Sequence, residues 1–122
     1  MSNINLYNYI ESINNFPKKG ILFRDISPLL ANFEAISELR NIFLNEAGSL
    51  DGVFNNAGTT GPVSKIQDLK PNALEELVKT NVIGAYYVAQ NSAKIMIKQR
   101  KGNIVNMTSI AADIGGAGEL IN

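Results

Sequence analysis

Cysteine and histidine are both absent from the sequence. Their absence excludes disulfides, thiolate and imidazole metal sites, cysteine nucleophiles and every triad that uses histidine as base. Proton transfer would have to use Tyr, Lys or a carboxylate, and no metal site is expected. Net charge is missing as well. Lys and Arg number 11 and Asp and Glu number 11, leaving no overall field to attract the nucleic-acid backbone or an anionic membrane. Neither nucleic acid nor membrane is therefore an expected partner. No apolar run approaches the roughly 18 residues of a membrane span. Residues 1–11 also lack the basic start and apolar stretch of a secretory signal. By default the expected location is cytoplasmic.

What is present suits a folded chain. With 122 residues, 45% of them hydrophobic and 18% charged, the sequence can build one domain around a single core but not two complete domains. Leu6, Ile10 and Ile13 fall at spacings of four and three, which predicts a short amphipathic helix over 5–14. Phe16-Pro17-Lys18-Lys19-Gly20 reads as a turn, because Pro fixes one dihedral and Gly permits positive ones. It feeds the apolar run Ile21-Leu22-Phe23, an extended segment ended by Pro28. Asn32 is placed to cap a second helix over 33–47, with Gly48 as its C-terminal stop.

Gly52-Val53-Phe54 then predicts a strand running into the small-residue turn Asn55-Asn56-Ala57-Gly58. Residues 71–79 carry Leu74, Leu77 and Val78 on one face of a helix. A longer helix is predicted over 82–100, with apolar positions 82, 85, 86, 89, 93, 96 and 97 and a stop at Gly102. Ile104-Val105-Asn106-Met107 reads as a buried strand. The sum is a β-α-β unit, whose parallel strands place ligands beyond their carboxyl ends, at 55–59 and 108–110 here.

A turn of Asn, Ala and Gly after a strand lets backbone approach a ligand closely, although an ordinary Asn-rich turn would look the same. Two further segments accompany it, Thr80-Asn81-Val82-Ile83-Gly84 and Gly102-Asn103-Ile104-Val105-Asn106-Met107-Thr108-Ser109. Together with Leu50-Asp51-Gly52-Val53-Phe54-Asn55-Asn56-Ala57-Gly58, these resemble three successive motifs of the short-chain dehydrogenase/reductase family, in order and at similar spacing. The resemblance covers about residues 42–122.

It implies a Rossmann sheet, NAD or NADP as cofactor, a small-molecule substrate, and catalysis by an Asn, a Ser, a Tyr and a Lys. Ser109 matches the serine that hydrogen-bonds the substrate oxygen, and Asn81 the asparagine that orders a water in the proton relay. Asn55, Asn56, Ala57 and Gly58 would border the cofactor and tie the central sheet together. The plain structural alternatives are a loop hydroxyl for Ser109 and a helix cap or kink for Asn81.

The family's tyrosine needs a lysine four residues on, whose charge lowers the phenol pKa. At that spacing Tyr7 meets Glu11, Tyr9 meets Ile13, Tyr86 meets Gln90 and Tyr87 meets Asn91. The matching position falls near Asn122, thirteen residues after Ser109. A glycine-rich pyrophosphate turn should also precede Asn55 by more residues than stand there. Gly115-Gly116-Ala117-Gly118 follows the second strand of the unit and is no substitute. The chain as given is therefore expected to be catalytically incompetent.

Residues 1–36, above all Phe16 to Leu30, resemble the N-terminal segment of adenine phosphoribosyltransferases. That resemblance implies that Leu22, Phe23 and Arg24 line an adenine pocket. The family's acidic pair followed by Ala-Thr-Gly-Gly-Thr, whose amides cradle phosphate, has no counterpart here. Glu75-Glu76 lies inside a helix. The expected fold is thus α/β: a partial Rossmann-like fold with a parallel β-α-β unit (42–122), preceded by a helix-turn-strand segment (1–36). The chain reads as chimeric or truncated. Two parallel strands leave bare edges, to be covered by Ile21-Leu22-Phe23 as a third strand or by self-association.

Overall fold

The computed structural model describes residues 4–62 and 64–109. Leu6–Tyr9 forms a 3-10 turn, capped by the Asn5 side chain, which accepts a hydrogen bond from the Tyr7 amide at 3.1 Å. The expected helix over 5–14 ends there. Glu11–Asn14 is instead a strand (β1), paired antiparallel with β2, Leu22–Asp25, with Glu11 opposite Asp25 and Ile13 opposite Phe23. Leu6, Ile10 and Ile13 fit a helical stripe, but a turn followed by a strand meets the same short spacing. Cross-strand pairing decides between them.

The hairpin loop is held at both ends. The Asn15 side chain accepts from the Gly20 amide at 2.9 Å, and the Phe16 ring packs edge-on against Phe23 at 5.2 Å. Asp25 then accepts from the Ser27 amide at 2.8 Å and starts a single helical turn, α1 (Ser27–Leu30), with Pro28 in its first positions. The N-terminal segment is therefore a 3-10 turn, a hairpin and a helical turn, rather than helix-turn-strand.

Helix α2 spans Phe33–Ala47, the predicted residues. Asn32 accepts from the Ala35 amide at 2.9 Å. Gly48, at φ 73°, donates to the Leu44 carbonyl in the left-handed conformation that glycine adopts without cost.

Strand β3 (Gly52–Asn55) pairs in parallel with β4 (Asn103–Asn106), with Gly52 opposite Asn103 and Asn55 opposite Asn106. Between them run α3 (Pro71–Val78), a π-helical turn (Lys79–Gly84) and α4 (Ala85–Gln99). The predicted single helix over 82–100 is thus a π turn followed by an α-helix. It ends at Arg100, which takes φ 57° while the Arg100 and Lys101 amides bond back to Ile97 and Met96. Gly102 comes two residues too late to be the stop.

The covered stripe of α4 is Asn91, Ser92, Ile95 and Met96, and Val82, Tyr86 and Ile97 lie in solvent. Gln99 fixes the start of β3 by pairing its side-chain amide with the backbone of Leu50 in both directions. Lys101 and Asp51 add an exposed ion pair at 2.6 Å.

The expected third strand is not in the parallel sheet. Leu22 and Phe23 pair with β1, and the two sheets are separate. Val53 and Ile104 sit half-buried, while Phe54 and Val105, on the opposite face, are exposed. The main buried cluster is Leu29, Leu30, Ala35 and Ile36, against which Leu6, Tyr9, Ile10, Tyr87 and Val88 pack. No helix among the described residues is long and apolar enough to cross a membrane.

One crossing in this cluster is tight. A Cβ at Gly84 would lie 3.0 Å from the Leu30 carbonyl oxygen. Gly84→Ala should gain up to about 1 kcal/mol in helix propensity and lose about 1–3 kcal/mol to overpacking. A net loss in urea unfolding is expected, and a variant as stable as the parent would show that the two backbones have room to part.

Candidate functional site at the strand ends

Both parallel strands deliver their following residues to one cleft of about 380 Å³. Asn56, Ala57, Gly58, Thr59 and Thr60 leave β3, while Met107, Thr108 and Ser109 leave β4; Asn81 enters from the π turn. This is the position where open α/β sheets bind ligands, beyond the carboxyl ends of the strands. π turns recur at functional sites because they redirect side chains out of helical register.

Asn81 is clamped. Its side-chain oxygen accepts from the Thr59 amide at 2.8 Å, and its side-chain nitrogen donates to the Thr59 carbonyl at 2.7 Å. The amide thus copies the pairing of a β-bridge and fixes the loop after β3 to the helix. Gly58 permits this approach, since a Cβ there would stand 3.2 Å from the Asn81 oxygen. One donor hydrogen and one lone pair of Asn81 remain for a water or ligand.

Asn55 lies beneath the cleft and does not line it. Only 7% exposed, it donates to the Ala85 carbonyl at 2.9 Å and to the Asn106 side-chain oxygen at 3.0 Å. It joins β3, β4 and α4 at one buried point. Asn56, Ala57, Gly58, Asn81 and Ser109 line one cleft together. Thr59 falls within the expected strand end 55–59, Thr60 was missed, and Asn106 stands in one of the three motifs without a role there. Asn106 stands opposite Asn55 in the parallel register, and two facing amides at the ends of paired strands are the signal that could have given it a role.

Leu22, Phe23 and Arg24 sit on the hairpin, and none of them lines the cleft. The Arg24 guanidinium donates to the Ser12 hydroxyl. Tyr86 accepts from Gln90 at 3.0 Å and Tyr87 packs on Phe33; neither tyrosine reaches the cleft. Gly115-Gly116-Ala117-Gly118 and Asn122 lie outside the described residues, as does Ile110. The described residues contain no group of three carboxylates that could hold a metal ion.

The chemistry of the cleft is neutral. Hydroxyls, amides and open backbone line it, with no Lys or Arg among the lining residues. Such a surface offers hydrogen-bond donors and acceptors without a fixed charge. A pyrophosphate finds neither a cation nor a glycine-rich helix start here.

The family model for short chain dehydrogenases matches residues 9–120, a span that takes in the hairpin and α2 as well as the β-α-β unit. The chain belongs to the short-chain dehydrogenase family. It is 36% identical over 76 residues to (+)-borneol dehydrogenase 2 of Salvia officinalis, covering 62% of this chain and 27% of that protein. To the 3-oxoacyl-acyl-carrier-protein reductase of Aquifex aeolicus it is 32% identical over 103 residues, covering 84% of this chain and 41% of that one. An NAD+-bound xylitol dehydrogenase superposes with TM-score 0.70 at 30% identity, covering 74% of this chain and 35% of that structure. A variant of ElxO with NADPH bound gives TM-score 0.69 at 28% identity, covering 74% and 36%. The chain thus spans well under half the length of each of these relatives.

The Asn81 clamp makes a direct prediction. Asn81→Asp replaces the donor to Thr59 with a second acceptor facing its carbonyl, and should cost about 1–3 kcal/mol. Unfolding by urea with the far-ultraviolet signal as readout checks this; unchanged stability would mean that the loop does not depend on the clamp.

Proposed function

We propose that this chain carries the substrate-side strand ends of an NAD(P)-dependent oxidoreductase and that it does not turn over by itself. The observation that supports the reading is the convergence of Asn81, Ser109 and the Asn56–Gly58 turn on one neutral cleft at the carboxyl ends of β3 and β4. In this reading Ser109 hydrogen-bonds the oxygen of a carbonyl or hydroxyl substrate. Asn81 holds the loop through Thr59 and orders a water with its remaining donor. The small residues Ala57 and Gly58 let a nicotinamide cofactor, NAD or NADP, come against backbone, and that cofactor would supply the hydride when bound.

What this chain lacks is a proton shuttle. No tyrosine has a lysine four residues on, and Tyr86 and Tyr87 lie outside the cleft. Without a phenol and a lysine at the cleft the substrate oxygen has no group there to exchange its proton with. The purified chain, assayed with NAD(H) and NADP(H) against a panel of alcohols and ketones, should show no turnover. Activity that disappears in Ser109→Ala would overturn this part of the proposal.

The purine reading of residues 1–36, as a phosphoribosyltransferase-like piece of a chimera, makes a separate and weaker claim. Leu22, Phe23 and Arg24 offer one wall of a hairpin to adenine, and one wall buries too little ligand for tight binding. Calorimetry should find adenine affinity weaker than about millimolar, given how little surface is buried. Micromolar affinity lost in Phe23→Ala would instead favour the purine site.

A further inference from the structure

Helices α3 and α4 form one continuous helix with the π turn inside it. Val78, Lys79, Gly84 and Ala85 all keep right-handed helical dihedrals, so the chain does not break where the turn begins or ends. π turns are rare and occur as single-turn insertions in α-helices, so something beside Lys79–Gly84 has to favour one there.

Two contacts fix the segment at the end of the turn. Thr80 and Gly84 are its buried residues, and a Cβ at Gly84 would stand 3.0 Å from the Leu30 carbonyl oxygen and 3.3 Å from the Leu30 Cβ. From the sheet side, the Asn55 side chain donates to the Ala85 carbonyl at 2.9 Å. Leu30 is itself held. Its amide donates to the Ile26 carbonyl at 3.0 Å, and its side chain is buried in the cluster with Leu29, Ala35 and Ile36.

Three residues before Gly84, Asn81 meets both backbone groups of Thr59. The stretch from Asn81 to Ala85 therefore has to fit between two fixed places, the Thr59 loop and the seat made by Leu30 and Asn55. The additional residue of the π turn takes up the misfit. A plain α-helix with Ala85 held in place would shift the preceding residues by one position, about 100° of rotation, and carry Asn81 off Thr59.

We infer that Gly84 is a positioning residue for Asn81. With no side chain there, the α1 backbone comes against the helix and holds the π turn at the height where Asn81 reaches the loop after β3. The N-terminal segment thus supports the cleft without lining it, since Leu30 is not among the cleft residues. For catalysis this rests on the proposed role of Asn81 in ordering a water, which the turnover assay addresses separately.

Amide hydrogen exchange on the full chain, followed by nuclear magnetic resonance and corrected for intrinsic rates, tests the inference without any turnover. The readout is the protection of Thr59 relative to Thr60. Gly84→Ala adds the Cβ that meets Leu30, and Ile95→Val loosens the buried face of α4 away from the turn. Gly84→Ala should lower the Thr59 ratio at least about tenfold while the β3 amides stay protected, and Ile95→Val should leave the ratio unchanged. Should Gly84→Ala lose its helix content by circular dichroism, Leu30→Ala, which thins the support from the other side, carries the test with the same expected loss. An unchanged ratio in the deciding variant, an equal fall in Ile95→Val, or no protection of Thr59 in the parent would each overturn the inference.

Discussion

The buried side chain of Asn55 is the point on which the parallel unit depends. Parallel strands cannot be joined by a tight turn, so β3 and β4 are separated in sequence by two helices and must be brought into register from a distance. A single amide donates both ways there, to Asn106 across the sheet and to Ala85 in the helix above it. Because the Asn55 side chain is buried, leaving its amide without acceptors would cost more than an exposed bond is worth. This one residue ties the two strand ends together, and through Ala85 it joins them to the residue that follows the π turn.

From that alignment the cleft follows. With the strand ends level, the loops after β3 and β4 emerge side by side, and Asn81 reaches down to Thr59 to close the gap between helix and loop. Gly58 is the small residue that lets this happen. The site is thus assembled by side-chain amides that imitate backbone, an arrangement repeated at the other end of the sheet, where Gln99 pairs with Leu50. Among the described residues α4 covers one face of the sheet, and Phe54 and Val105 stand exposed on the other.

The parallel unit and α2 were legible in the sequence, for physical reasons. Asn32 and Gly48 bracket α2 with the residue types that helix ends require. The short apolar runs at 52–54 and 104–107, with a long helical pattern between them, leave little choice of topology. The hairpin was not legible, because three apolar residues at spacings of four and three cannot tell one helical stripe from a turn plus a strand. The π turn was hidden as well, since a single extra residue in a helix leaves no compositional trace. For the site, five of the six dehydrogenase positions could be placed together. Asn55 was harder: motif position says that an amide is needed, but only burial says whether it faces ligand or protein.

The central claim is that the cleft is preformed by the Asn81 clamp, and amide hydrogen exchange at Thr59 tests it directly. Thr59 lies in an exposed loop and would exchange freely but for its bond to Asn81. The account predicts slowed exchange at Thr59 relative to Thr60 in the parent and free exchange in Asn81→Ala, with the amides of β3 keeping their protection. Free exchange at Thr59 in the parent would contradict it.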